Sequence, residues 1–183
     1  HTLYLGSGAR RTAQTLNRVV RTVAGTGARC ADDCTGFVGP ATQAQLTHPR
    51  SVAVGPEGSL YILDESNGWG AIRRVRPDGT ISHFAGAKRY HWSEAEGIPA
   101  TQADLYTARA IAVGPDGSVY FTLPNYGKIR RITPDGIIWT IAGNGTQAIS
   151  PDGSVAATSS LSGNIDALAV AADGSIYFVE GLT

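Results

Sequence analysis

Short apolar runs separated by Gly- and Asp-bearing turns recur along this chain in a fixed order. Ser51-Val-Ala-Val54 is followed by the turn Gly55-Pro-Glu-Gly58, and Ser59-Leu-Tyr-Ile-Leu63 is rich in β-formers. A polar loop, Asp64 to Gly70, leads to Ala71-Ile-Arg-Arg-Val-Arg76, the tight turn Pro77-Asp-Gly79 and a last run, Thr80 to Ala85, ended by Gly86. The same order returns at Ala110 to Val113, Ser118 to Thr122, Lys128 to Thr133, Pro134-Asp-Gly136 and Ile137 to Ala142. A third copy begins at Asp166-Ala-Leu-Ala-Val and continues through Asp173-Gly-Ser-Ile-Tyr177. Val52 and Ile111 are 59 residues apart, and Ile111 and Leu168 are 57 apart. A period of this length marks an array of equivalent supersecondary units, none of which buries its apolar faces alone.

Each unit reads as a four-stranded antiparallel meander. Its first strand has small side chains and is apolar almost throughout, as suits a strand crowded around an axis. Both sheet faces are expected to press on neighbouring units, so clean period-2 alternation is not expected. The predicted fold is all-β, a β-propeller of four-stranded blades; a β-solenoid has much shorter coils and fits poorly. The expected organisation is a degenerate leading blade at 1–25, a Cys-bearing linker at 26–49, a blade at 50–86, an aromatic linker insertion at 87–108, a blade at 109–143, a linker at 144–165 and the start of a further blade at 166–183. That is about three blades' worth, and propellers have about 4 to 8. The expectation is a partial propeller or part of a larger ring, completed by the remainder of its own polypeptide or by another copy.

Composition narrows the function classes. The 183 residues are 42% hydrophobic and 16% charged, with a formal net charge of zero. Zero net charge argues against a nucleic-acid partner, which calls for a basic face, and no run is apolar and long enough for direct membrane insertion. His1-Thr-Leu-Tyr-Leu-Gly lacks the basic and apolar regions of a signal peptide, so a mature or excised segment is expected. Cys30 and Cys34 lie in one polar loop. A redox or metal pair and a small structural disulfide both fit them. No second Cys or His pair stands at zinc-finger spacing, so the disulfide is the reading adopted, and it implies an oxidising compartment.

These residues resemble NHL repeats: an apolar Ala-Val before the first turn, then Leu-Tyr, then Ile-Arg-Arg-Val and Pro-Asp-Gly. The linkers resemble blade junctions of teneurin-type NHL propellers, in Val23-Ala-Gly-Thr-Gly-Ala-Arg-Cys30, Gly39-Pro-Ala-Thr-Gln-Ala-Gln-Leu46 and Gly97-Ile-Pro-Ala-Thr-Gln-Ala-Asp-Leu105. In that family the propeller sits beside a YD-repeat (RHS) shell. The resemblance implies a secreted or cell-surface module for protein interaction or adhesion, with no catalysis and no cofactor. Phe37-Val38 and Glu96-Gly97-Ile98 depart from the family's Asp-Gly-Gly-Pro-Ala linker. Its usual Asp after the second strand stands only at Asp64, with Leu123 and Glu180 at the matching positions.

In such a meander the loop between the second and third strands shares one face of the disc with the linkers, and the Asp-Gly turns occupy the other. The loop face carries the variation, so a protein or glycan ligand is expected there. Its candidates are Arg89, Tyr90, His91 and Trp92 in the insertion Lys88 to Glu94, and the equivalent pair Trp69 and Tyr126. For the insertion, the other reading is a segment folded over blade edges around Trp92. For the pair it is packing between blades, which is preferred. Arg10-Arg11, Arg73-Arg74 and Arg130-Arg131 recur inside strands. They read as stems covering apolar sheet, with guanidinium groups on neighbouring carbonyls, better than as a polyanion groove. The alternative function is a propeller lyase or lactonase with a channel metal. The positions where such ligands converge hold Arg50, Arg109 and Asp166, which is no metal set, and His48 and His83 do not recur.

Overall fold

The structure is a computed structural model, and it describes residues 20–30, 34, 36–66, 69–87, 93 and 95–181. Residues 1–19, most of the expected leading blade, lie outside the described residues. The first sheet contains β1 (Gly39–Pro40), β2 (Pro49–Val54), β3 (Leu60–Ser66), β4 (Trp69–Val75) and β5 (Thr80–Ala85), in the order β1-β5-β4-β3-β2. The second contains β6 (Ile98–Pro99), β7 (Ile111–Val113), β8 (Val119–Leu123), β9 (Lys128–Ile132) and β10 (Ile137–Ala142), in the order β6-β10-β9-β8-β7. β11 (Ile165–Val170) and β12 (Ile176–Glu180) form a third, two-stranded sheet. Every pairing is antiparallel, and the described residues contain no α-helix.

The first turns are built alike because their sequence is alike. Gly55, Gly114 and Ala171 each donate their N–H to the carbonyl of Ser59, Ser118 and Ser175, at 2.8, 2.9 and 2.8 Å. Both full sheets carry an irregularity at the same place in the outer strand pair. Arg73 pairs with His83 while Ile72 pairs with Ala85, which leaves Phe84 bulged; Ile141 is bulged in the same way beside Ile129 and Arg130.

Both faces of a sheet are apolar, and successive residues serve different cores. On β3, Leu60 and Ile62 join Ala24, Ala41, Ala44 and Leu46 in one buried cluster. Their neighbours Tyr61 and Leu63 join Val119, Phe121 and Leu123 of β8 in another. On the far side of the second sheet, Ile129 packs with Leu161 and Ile165. The innermost strands adjoin one another, β2 against β7 and β7 against β11. Ser51 Oγ accepts from Ile111 N–H at 3.3 Å, and Thr122 Oγ1 donates to the Ile165 carbonyl at 3.1 Å. First strands gathered around a common axis, with sheets leaning face to face, give the radial arrangement of an NHL-type propeller.

The linkers differ from expectation. Each sheet has a fifth strand, β1 or β6, taken from the linker before it and added at the outer edge. The linker does not stay on the loop face. After Ala100 it forms a 3₁₀ turn whose first amide reaches the Gly136 carbonyl, at the Asp-Gly end of the next sheet, at 2.8 Å. The Ala100 carbonyl accepts in turn from Gly86 N–H at 3.0 Å, which ties the end of one blade to the edge of the next. Gly25 to Ala41 and Gly143 to Ala156 repeat that bond at 2.9 and 3.0 Å.

Only glycine fits the position that donates it. Gly143 has φ 93°, and a Cβ there would lie 2.0 Å from the Gly127 carbonyl oxygen. Gly143→Ala therefore combines a left-handed backbone with a backbone collision, a loss of about 3 kcal/mol. Thermal denaturation is expected to show a midpoint lower by about 6–12 °C. A midpoint unchanged from the parent would show that the junction adapts.

Candidate functional site

The two arginines of each pair point to opposite faces of their strand and do different things. Arg73 and Arg130 are among the largest fully buried side chains. Arg73 donates from Nη1 to the Cys34 carbonyl at 3.0 Å and from Nη2 to the Phe37 carbonyl at 2.8 Å. Arg130 donates from Nη2 to the Ala95 carbonyl at 2.8 Å, with the Glu96 carboxylate at 3.4 Å. A planar, permanently charged fork is suited to gathering irregular loop carbonyls. These residues are thus clamps that hold the preceding linker onto the blade, as the in-strand reading expected. Arg10 and Arg11 lie outside the described residues.

Arg74 and Arg131 sit on the other face, in a socket whose acid and serine read in the sequence only as turn residues. Arg131 Nε donates to Ser118 Oγ at 2.9 Å and Nη2 to Asp116 Oδ2 at 2.7 Å, and its guanidinium lies 5.9 Å from the Tyr120 ring centroid. Arg74 does the same with Ser59 Oγ at 3.1 Å, Glu57 Oε1 at 3.1 Å and Tyr61 at 5.7 Å. Burial pushes the Asp116 carboxyl up, but the Ser118 amide and hydroxyl and the Arg131 charge outweigh it, and its pKa is lowered. The signal was present in sequence as an acid, then Ser, then Tyr at spacings of two, repeated in step with the arginine.

Cys30 and Cys34 form a disulfide with their Cα atoms 6.0 Å apart. A loop this short contributes about 2 kcal/mol in the chain-entropy picture. Its placement matters more than its magnitude, because the Cys34 carbonyl is one of the two acceptors of Arg73. A second strut is Asp64, a carboxylate only 2% exposed. It accepts from Thr47 N–H at 3.0 Å and His48 N–H at 2.8 Å. Burial pushes its pKa up, against the pull of those amides and of the Arg73 charge. The next blade has Leu123 in place of Asp64, and there Thr107, the counterpart of His48, takes φ 67°. In the third, the Glu180 carboxylate accepts from Ser162 N–H.

On the loop face, Trp69 opens β4 and Tyr126 closes a 3₁₀ turn before β9, both half-buried. Tyr126 packs on the core shared by the two full sheets and donates its hydroxyl to Asp104 Oδ2 at 2.9 Å. Arg89, Tyr90, His91 and Trp92 lie outside the described residues. Just beyond them Glu96 accepts from the Thr140 N–H and hydroxyl, both at 2.6 Å, and so pins the returning linker to β10. Neither Asp104 nor Glu96 was legible as a partner, since each reaches a residue far away in sequence.

At the inner strand ends, Arg50 pairs with Glu65 of its own sheet. Arg109 pairs with Asp166 of the next sheet at 2.5 Å and donates to Asn164 Oδ1 at 3.2 Å. His48 Nδ1 lies 3.3 Å from the Glu65 carbonyl, and His83 Nε2 lies 2.8 Å from the Gly86 carbonyl. Among the described residues no three His, Cys, Asp or Glu side chains converge as a metal-holding group.

The arginine roles make a comparative test. Arg73→Ala is expected to cost about 3–5 kcal/mol, because buried carbonyls lose a charged donor and a large volume is emptied. Arg74→Ala, on a partly exposed pair, is expected to cost about 1 kcal/mol or less. Urea denaturation of both variants checks this; equal losses would contradict the division of labour.

A family model described as "Teneurin NHL domain" matches residues 17–87. "Teneurin-m" of Drosophila melanogaster is 34% identical over 123 residues, which cover 62% of this chain and 4% of that protein. Among solved structures, selenomethionine-substituted virginiamycin B lyase from Staphylococcus aureus is similar with a TM-score of 0.45 and 22% identity, over 79% of this chain and 38% of that one. A protein of unknown function from Bacteroides thetaiotaomicron has a TM-score of 0.49 and 24% identity, over 72% of this chain and 30% of that one. The family match and the Drosophila relative, together with the repeat and its radial sheets, lead to one assignment: the chain belongs to the NHL-repeat, teneurin-like family.

Proposed function

We propose that this chain is a non-catalytic protein-interaction module of an extracellular or cell-surface protein, a bacterial teneurin-like protein of the YD-repeat (RHS) type, and that recognition of a protein or glycan takes place on its loop face. The observation that carries the reading is how the repeated side chains are used. Arg73 and Arg130 hold linkers, Arg74 and Arg131 hold turns, and Arg109 with Asp166 ties one blade to the next. The chemistry that recurs is thus engaged in holding blades together. What varies between repeats is the loop face, with Trp69 at its β3–β4 loop and Arg89, Tyr90, His91 and Trp92 in the linker. Aromatic and arginine side chains in variable loops on a rigid scaffold are the usual anchors of recognition.

The disulfide between Cys30 and Cys34 supports an oxidising compartment. Among the described residues no helix is long and apolar enough to cross a membrane.

Two measurements test the reading. Beads coated with the chain should adhere to cells displaying the partner. Adhesion should fall when Trp69 and Trp92 are both changed to alanine, with the melting midpoint shifted by only a few degrees. Unchanged adhesion would remove those residues. Elemental analysis of the purified protein should find no stoichiometric zinc or calcium; one equivalent of either would favour a lyase or lactonase chemistry instead.

A further inference from the structure

The third sheet repeats the arginine socket in a different setting. Asp173, Ser175 and Tyr177 stand 57 residues after Asp116, Ser118 and Tyr120. Their local geometry is the same, since the Asp173 carboxylate accepts from Ser175 N–H at 2.8 Å, as Asp116 does from Ser118 N–H at 3.0 Å. Burial separates the sites. Tyr61 and Tyr120, which lie under Arg74 and Arg131, are 3% and 7% exposed, whereas Tyr177 is 62% exposed. Ser59 and Ser118 are fully buried, and Ser175 is exposed.

The strand that carries this socket has an open side. β12 pairs with β11 along one edge, whereas β3 and β8 are each paired along both. Phe178 and Val179 on β12 are 37% and 60% exposed, while their counterparts Phe121 and Thr122 on β8 are fully buried. An apolar edge of this kind readily takes up another strand. The two full sheets show which strand fits. Arg131 pairs opposite Tyr120 and Ile132 opposite Val119; Arg74 pairs opposite Tyr61 and Val75 opposite Leu60. Carried onto β12, that register sets an aliphatic residue against Ile176 and an arginine against Tyr177.

We infer that the open edge of β12 is a docking site for an extended polypeptide segment of the pattern Ile-Arg-Arg-aliphatic. The segment adds antiparallel to β12 and seats its second arginine on Asp173, Ser175 and Tyr177. Three features select it. The backbone edge supplies ladder hydrogen bonds, and the carboxylate and hydroxyl accept from a guanidinium fork. The tyrosine face then receives the cation. A lysine has the charge but not the fork, so it is a poorer occupant. The site lies at a sheet edge and does not depend on recognition at the loop face.

The probe is a fluorescein-labelled ten-residue peptide with the sequence of residues 127–136, titrated by anisotropy against the full 183-residue chain. Saturable binding is expected. Arg131→Ala in the peptide should weaken it about tenfold, and Arg131→Lys should weaken it measurably. Arg130→Ala in the peptide should have the smaller effect of the two alanine changes. On the protein side, Asp173→Asn and Tyr177→Ala alter exposed residues. They should weaken peptide binding while the melting midpoint stays that of the parent. The inference is overturned if the peptide shows no saturable binding, if the Arg131→Ala peptide binds as well as the parent, or if sedimentation shows β12 occupied by a second copy of the chain whatever peptide is added.

Discussion

A four-stranded sheet with apolar side chains on both faces cannot stand alone in water, and the rest of this structure follows from that. Leu60 and Ile62 project into one core while Tyr61 and Leu63 project into another. The sheet must be covered twice, and the cover is the next sheet or the linker leading to it. Packing like sheets face to face about their small first strands arranges them radially. Burial of apolar area holds the array together, at about 25 cal/mol per Å² removed from water. The polar devices then set the geometry. Arg73 and Arg130 gather linker carbonyls, and the Ala-Gly bonds from Gly86 and Gly143 stitch each blade to the following edge.

The two arginines of each pair show how one local motif serves two ends. Alternation along a strand sends neighbouring side chains to opposite faces. One guanidinium is buried against an irregular loop, and the other lies over a tyrosine beside a turn. The first needs the linker braced, which the Cys30–Cys34 disulfide does by holding the loop that presents the Cys34 carbonyl. The second needs only its own sheet. That self-sufficiency is why the acid, Ser and Tyr recur intact at Asp173, Ser175 and Tyr177 in the third sheet.

Much of the fold was legible because its determinants are local. The turns at Gly55 to Ser59 and Gly114 to Ser118, the strand order and the repeat all follow from short-range residue patterns. The in-strand reading of Arg73 and Arg130 was also local, since a charged residue amid β-formers at a fixed place must bury its stem. What escaped was non-local. The fifth strands hide in Gly39–Pro40 and Ile98–Pro99, which read as loop because proline cannot donate to a ladder, yet an outer edge tolerates it. The passage of the linker to Gly136, and the bonds from Tyr126 to Asp104 and from Thr140 to Glu96, join residues whose proximity only the packed array creates. Of the candidate loop-face residues, Trp69 and Tyr126 were placed by repeat alignment on the β3–β4 and β8–β9 connections, where they stand.

Mutual support between sheets is the central claim, and hydrogen exchange on a Leu63→Ala variant tests it most directly. Leu63 belongs to the first sheet but is buried in the core it shares with the second. Its truncation should cost about 2–5 kcal/mol. If the sheets stand only against each other, amides of β4 and of β9 will lose protection together and by similar factors. Loss confined to β2–β5, with β8 and β9 protected as in the parent chain, would mean that each sheet is stable by itself, and would contradict the account.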